Sequence, residues 1–204
     1  IVLIFDECTS GFRETYGGIF KKFDVIPDMT IFSKTMGNGY AITAVVGKKS
    51  VMEAAQNTFI SSTFWTERIG PTAALKALET MKEIESWKII TKKGEKMRAG
   101  WLKLAEENNL QIAISGIPAL STYVFKSKHA IAYKTFITQE MLKKGFLAST
   151  NFYASITHTE EYFDNYFNAL NKIYHVIDKC EQGIININSL LEGPVCHVGF
   201  QRLN

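Results

Sequence analysis

The chain has 204 residues, of which 46% are hydrophobic and 21% charged, and its formal net charge at pH 7 is +3. This is an ordinary globular composition, with enough length for one domain or one and a half. No apolar run approaches the roughly 18 residues that cross a bilayer, and so small and dispersed a charge gives no reason to expect a nucleic-acid partner. Neither a membrane protein nor a nucleic-acid-binding protein is therefore expected.

The residues that commonly form disulfides or bind metals are sparse. Cys8, Cys180 and Cys196 are odd in number, widely separated and without Cys-x-x-Cys spacing. His158 and His197 have no second ligand at metal spacing. We therefore expect neither a disulfide framework nor a metal site, and a cytoplasmic location is the simplest interpretation.

The amino terminus is unusual because the chain opens on an apolar run without an initiator methionine. This run lacks the length, basic flank and cleavage site of a signal peptide. A buried strand at the first residue would have no preceding element to cover it. We therefore expect the chain to be the C-terminal part of a longer protein.

Three short apolar runs predict β-strands, at residues 1–5, 29–32 and 42–47. The first is continuously apolar, which is typical of a strand buried on both faces of a parallel sheet. Each run ends near polar residues or glycine, where open α/β sheets place their binding sites.

From residue 69 the apolar residues recur at steps of three and four, which predicts helices. We expect helices at residues 69–84, 87–108 and 136–142, and an aromatic-striped helix after residue 159 that is capped by Thr157 or Thr159. The aromatic stripe is expected to be core rather than a ligand site. Strands are predicted at residues 111–115, 120–125 and 153–156.

Two ionisable residues follow the first two predicted strands. Asp6 ends the first, and Lys34 ends the second, directly before the glycine-rich residues 37–39. Taken singly, each has a simple structural explanation, as a loop-capping carboxylate or a solvated lysine. The surrounding residues favour a functional role for both.

Those surroundings resemble the class III pyridoxal-phosphate aminotransferases. Residues 6–13, Asp-Glu-Cys-Thr-Ser-Gly-Phe-Arg, resemble the family's Asp-Glu-Val-x-x-Gly-Phe-Arg segment, and residues 27–40 are similar to its cofactor-lysine stretch. Residues 62–65 and 73–75 look like its phosphate-contacting threonine segment, and residues 155–161 like a joint in its small domain. Within the family, the likeness is greatest to glutamate-1-semialdehyde 2,1-aminomutases.

The resemblance implies an α/β protein of fold type I. Residues 1–87 would be the C-terminal part of the large, mostly parallel-sheet, cofactor-binding domain, and residues 88–182 a small α+β domain. Residues 183–204 form a tail of unclear structure. The resemblance also implies a cytoplasmic homodimer that shares its active site between subunits and acts on small amino and keto substrates.

The same resemblance assigns roles to single residues. Lys34 would be the catalytic residue that holds pyridoxal 5′-phosphate as a Schiff base, and Asp6 would pair with the pyridine nitrogen and keep it protonated. Thr63 would contact the cofactor phosphate of the neighbouring subunit. Cys8 occupies the position of a valine that packs on the cofactor ring, where a thiol serves as a small apolar group.

The sequence departs from the family in two places. The usual Gly-Gly-Gly-x-Pro is Gly-Asn-Gly-Tyr-Ala at residues 37–41, and the common Gly-Asn-Pro is Glu-Arg-Ile at residues 67–69. Transamination, an intramolecular aminomutase reaction and racemisation therefore all stay open. The alternative from another class is a non-catalytic binding or structural role, which we expect for these 204 residues alone because the family's other cofactor contacts come from its N-terminal half.

Overall fold

The computed structural model of the protein describes residues 1–197 and 199. It divides into two compact units, the first spanning Ile1–Thr91 and the second beginning at Lys92. The division falls within one helix, Ser86–Glu107. The predicted tail is described up to residue 197 and at residue 199, so residues 198 and 200–204 lie outside the described part.

Three strands form the sheet of the first unit, in the order β1 (Ile4–Glu7), β2 (Met29–Phe32) and β3 (Ala44–Gly47). β1 and β2 are parallel, with Asp6 opposite Ile31, and β3 is antiparallel to β2. Because parallel strands end at the same edge, this pairing brings the residues after β1 and β2 together.

The prediction of a strand at residues 1–5 that is buried on both faces is wrong in position and in burial. The strand begins at Ile4, and the side chains of Ile1–Ile4 are exposed. β1 lies at the edge of the sheet beside β2, and none of the side chains of Ile1–Ile4 joins the core of this unit. An apolar pattern shows that the side chains of a strand are suited to burial. Whether they are buried depends on the elements that pack against them.

Short helices link these strands. α1 (Lys34–Gly37) starts directly after β2 and ends at Asn38, whose φ of 46° gives a left-handed C-cap. α2 (Lys49–Met52) follows β3. The chain also makes 3₁₀ turns at Ile19–Lys22 and Glu53–Asn57.

The predicted helix at residues 69–84 is confirmed as α3 (Ile69–Ile84). Its buried face joins the core of the first unit, which consists of Phe12, Phe32, Met36, Ala74 and Met81. The Glu67 carboxylate caps its first turn by accepting hydrogen bonds from the backbone N–H groups of Ile69 and Gly70, at 2.6 and 3.1 Å.

The second unit packs helices against an antiparallel sheet of order β4 (Ile112–Ile117), β5 (Leu120–Phe125) and β6 (Asn151–Tyr153). The helices are α4 (Ser86–Glu107), which contains the division, α5 (Ala130–Lys143) and α6 (Glu160–Glu181). The largest fully buried side chains include Trp101, Tyr123, Tyr133 and Tyr174. As predicted, the aromatic stripe of α6 belongs to this core.

Two predicted details of the second unit differ from the structure. The short helix begins at Ala130 rather than at Phe136, and the last strand is β6 rather than residues 153–156. β6 takes its position from its pairing with β5, in which Leu120 lies opposite Tyr153. Of the two candidate caps of α6, Thr159 is the one whose side chain accepts a hydrogen bond from the first turn.

Candidate functional site

Asp6, Cys8 and Lys34 meet at the carboxyl ends of β1 and β2. Lys34 opens α1, and its Nζ donates a hydrogen bond of 2.8 Å to Oγ1 of Thr9, in the turn after β1. Thr9 and Lys34 are both exposed, so the pair is open to solvent within this chain. Thr9 was not predicted from the sequence, because it stands at a variable position of the motif at residues 6–13.

Asp6 supplies a negative charge beside the lysine. Its Oδ1 accepts a hydrogen bond of 3.0 Å from the backbone N–H of Cys8. That bond, together with one from the Cys8 side chain and the positive charge of Lys34, holds the pKa of Asp6 below its usual value. Asp6 is therefore a carboxylate at neutral pH.

Cys8 lies between these charges as an uncharged group. Its hydrogen bond to Asp6 and its partial burial raise the pKa of the Cys8 thiol, against a smaller lowering by Lys34. A thiol that stays protonated at neutral pH is a poor nucleophile. Cys8 thus offers the site a small side chain rather than a reactive one.

The turn that carries Thr9 is held in place by neighbouring groups. Glu7 is buried, and its carboxylate accepts hydrogen bonds from Ser10 Oγ at 2.5 Å and from the backbone N–H of Phe20 at 3.2 Å. On the other side of the turn, Arg13 Nε donates to the carbonyl of Thr9 at 2.7 Å. These bonds fix the backbone from which Thr9 reaches Lys34.

Thr63, the fourth predicted site residue, lies elsewhere in the first unit. It is exposed, in a turn closed by a hydrogen bond of 3.2 Å from Trp65 N to the Ser62 carbonyl. Among the described residues, no hydrogen bond joins Thr63 to Asp6 or Lys34. The structure therefore brings Asp6, Cys8 and Lys34 together and does not join Thr63 to them.

The Glu-Arg-Ile departure from the family pattern has a local structural explanation. Glu67, in the Glu-Arg-Ile segment, caps α3 as described above. Gly70 in the first turn of α3 approaches the segment after α1 so closely that an added Cβ would lie 2.9 Å from the Ala41 carbonyl oxygen. The start of α3 thus packs against the glycine-rich turn that follows Lys34.

Other kinds of site have no counterpart in the described part of the chain. No helix there combines the length and apolar character that crossing a membrane requires. Nor do the described residues contain a group of three or more His, Cys, Asp or Glu side chains that could hold a metal ion.

Comparison with protein families identifies the chain. Residues 1–174 match the family described as aminotransferase class-III. The chain belongs to the class-III aminotransferase family. The resemblance seen in the sequence motifs is therefore confirmed.

Relatives within the family include enzymes of two kinds. The chain is 40% identical over 139 residues to a 3-aminobutyryl-CoA aminotransferase of Cloacimonas acidaminovorans, which is 68% of this chain and 34% of that protein. It is 30% identical over 190 residues to a glutamate-1-semialdehyde 2,1-aminomutase of Clostridium botulinum, which is 84% of this chain and 44% of that protein. The chain thus spans less than half the length of these relatives.

Solved structures of other proteins share its architecture. The FumI protein of Sphingopyxis sp. MTA144, in its PLP internal aldimine form, superposes with a TM-score of 0.81 at 20% identity, over 92% of this chain and 46% of that one. An omega-transaminase from Sphaerobacter thermophilus gives a TM-score of 0.75 at 21% identity, over 85% of this chain and 44% of that one. The class-III chain therefore has the predicted fold type I architecture.

Proposed function

We propose that this class-III protein is an enzyme that transfers amino groups with pyridoxal 5′-phosphate. The observation that carries the proposal is the placement of an amine, Lys34, and an ionised carboxylate, Asp6, at the carboxyl ends of adjacent parallel strands. The family match adds support, because it covers both residues. So does the likeness in fold to the FumI protein, whose solved structure is its PLP internal aldimine form.

The side chains present fit this cofactor. When bound, pyridoxal phosphate supplies an aldehyde that bonds to an amine and a pyridine ring that delocalises negative charge. Lys34 has the exposed amine, at the start of α1. Asp6 is exposed and ionised, so it is suited to a charge-assisted hydrogen bond from a protonated ring nitrogen.

Each residue then has a distinct task. Lys34 Nζ would hold the cofactor and would take and return the proton of the substrate's Cα. Asp6 would stabilise a protonated ring nitrogen through its negative charge. Cys8 presents an uncharged surface beside that charge, which avoids a second ionised group at the ring.

We further propose a cytoplasmic homodimer in which Thr63 contacts the cofactor phosphate of the neighbouring subunit. Thr63 supports this by lying exposed on its own turn, without a hydrogen bond to Lys34 or Asp6 among the described residues. Large apolar side chains are exposed around it, namely Phe59, Ile60, Phe64 and Trp65. Exposed aromatic clusters are typical of association surfaces.

In this proposal residues 1–87 belong to the cofactor-binding domain and residues 88–182 to the small domain.

Product analysis of the full-length protein tests the function. We expect amino transfer from amino-acid donors in the unaltered protein and none in the variant Lys34→Ala. An intermolecular aminotransferase needs a separate keto acceptor. The aminomutase reaction, which the likeness to glutamate-1-semialdehyde 2,1-aminomutases favours as the second candidate, converts its substrate without one. Absence of amino transfer and of cofactor binding would reject both.

A further inference from the structure

Lys34 donates its hydrogen bond to a neutral group. The Thr9 hydroxyl, 2.8 Å from Nζ, is its hydrogen-bond acceptor. Within the described residues, Lys34 forms no salt bridge, although Asp6 lies close enough for the lysine charge to lower the pKa of its carboxyl. A neutral hydroxyl thus stands where a carboxylate is the usual partner.

We propose that Thr9 is a positioning residue that holds Lys34 Nζ in both of its protonation states. A hydroxyl can accept a hydrogen bond from the ammonium and can donate one to the neutral amine, whereas a carboxylate can only accept. A carboxylate would also favour the charged form. Thr9 therefore keeps the nitrogen in place while allowing the proton to leave, which the proposed function requires and on which this inference rests.

Hydrogen bonds hold the backbone that carries Thr9 and the backbone that carries Lys34. The Thr9 carbonyl accepts the hydrogen bond from Arg13, and the neighbouring Ser10 is tied to the buried carboxylate of Glu7. On the other side, Met36 in α1 is buried and its N–H donates 2.7 Å to the Ser33 carbonyl, directly before Lys34. Because neither backbone is free to follow the lysine, the hydroxyl sets where Nζ lies.

The rate at which the full-length, cofactor-free protein bonds to added pyridoxal 5′-phosphate measures this role. We would follow the growth of the yellow absorption band across a pH series in the variants Thr9→Val, which lacks the hydroxyl at similar shape, and Thr9→Ser, which keeps it. The matched control is Thr15→Val in the same loop, whose hydroxyl donates to the Gly18 carbonyl at 2.8 Å instead.

We expect Thr9→Val to slow the reaction about fivefold, as for loss of one ordinary hydrogen bond, and to change the pH–rate profile. Thr9→Ser should restore both, and Thr15→Val should leave the profile unchanged. If thermal melting shows that Thr9→Val is unfolded, Thr9→Ala takes its place, because it removes the same hydroxyl without adding a branched side chain. We then expect the same slowing and the same change of the pH–rate profile in Thr9→Ala.

The possible results separate this inference from the function it rests on. A band in the unaltered protein, with equal rates and profiles in all Thr9 variants, rejects the positioning role alone. Equal slowing in Thr15→Val also rejects it, because the effect would then come from loosening of the loop. No band in the unaltered protein rejects the proposed function and the positioning role together.

Discussion

The carboxylate of Asp6 acts on a ring nitrogen only while it is ionised. Hydrogen bonds from Cys8 and the charge of Lys34 place the pKa of Asp6 below its ordinary 3.8, so it carries its charge throughout the range in which amino transfer is measured. Asp6 therefore contributes no activity change near neutral pH, and any such change must come from other groups.

Replacing that charge tests its role. Asp6→Asn keeps the shape of the side chain and removes the charge, so we predict weaker cofactor binding and a rate of amino transfer lower by roughly 100-fold or more. Steady-state kinetics and a spectroscopic cofactor titration measure the two effects. The exposed Asp164 on α6 provides the control Asp164→Asn, which should change neither. A fully active Asp6→Asn enzyme would contradict the assignment.

In the core, one buried hydroxyl makes a specific contribution to stability. Tyr166 accepts a hydrogen bond of 2.9 Å from Trp101 Nε1, and burial raises the pKa of Tyr166 above its usual 10. Tyr166→Phe leaves the indole N–H buried without its acceptor, so we predict a loss of about 1–3 kcal/mol in the free energy of unfolding. The exposed Tyr162 gives the control Tyr162→Phe, expected to stay within about 0.5 kcal/mol in urea denaturation. Equal losses of unfolding free energy in Tyr166→Phe and Tyr162→Phe would contradict a specific contribution of the buried hydroxyl.

Among the elements, α4 and the β4–β5 turn approach most closely at Gly94, where an added Cβ would lie 1.9 Å from the Pro118 carbonyl oxygen. In an open helix Gly→Ala gains about 1 kcal/mol. Here we predict that Gly94→Ala loses about 2 kcal/mol of unfolding free energy, because backbone must move. The exposed Ala99 on the same helix gives the comparison Ala99→Gly, expected to cost about 1 kcal/mol. A stabilised Gly94→Ala protein would show that there is room for a methyl group between α4 and the Pro118 carbonyl.

The first sheet is tied together by Asp28, just before β2. Its carboxylate accepts hydrogen bonds of 2.8 Å from the backbone N–H of Leu3 and from Lys48 Nζ, on either side of β2. The Leu3 bond first, and then Lys48, lower the pKa of Asp28 from its ordinary 3.8. The ionised carboxylate is the bonded form, so the stability it adds is complete above the unfolded pKa and declines as pH falls through the native one.

The loss of this contribution at low pH can be measured in the variant Asp28→Asn. Thermal melting between neutral pH and values below 3.8 should show a smaller acid-side loss for Asp28→Asn than for the unaltered protein. Above that range the variant should be the less stable of the two. Asp164→Asn again serves as the exposed control and should keep the original slope. The same acid-side slope in Asp28→Asn would show that this carboxylate does not tie the sheet.

Sequence pattern predicted the long elements better than the short ones. α3, α4 and α6 each bury one face over four or more turns, so the spacing of apolar residues marks them with little ambiguity. β6 has three residues, and its position is decided by pairing with β5 rather than by its own composition. Nor could the pattern show that β3 runs antiparallel to β2, because direction depends on the path of the connecting chain.

The site was predictable only as far as motifs reach. Asp6, Cys8 and Lys34 stand in recognisable segments, and the parallel β1–β2 pair brings those segments to one edge. Their catalytic roles remain predictions. The contact between Thr9 and Lys34 crosses from one strand end to the other, so it becomes visible only once the register is known.

For the whole molecule, the central question is whether two subunits complete each active site. If Thr63 serves the neighbouring subunit, Lys34→Ala and Thr63→Ala proteins should each be impaired, yet mixed dimers should contain one site with both residues intact. We predict that unfolding and refolding the two variants together restores amino transfer toward about one quarter of the unaltered rate, the share expected for random pairing with one intact site in each mixed dimer. Thr66→Ala, in the same turn, is the matched control. No restoration in a dimeric mixture would contradict a shared site.

The most direct measurement of the central claim is the identity of the lysine that bonds the cofactor. The full-length protein would be loaded with pyridoxal 5′-phosphate, reduced with borohydride and cut into peptides for mass spectrometry. We predict a pyridoxyl group on Lys34, in the peptide that joins β2 to α1. A pyridoxyl group on a different lysine, or on none, would contradict it.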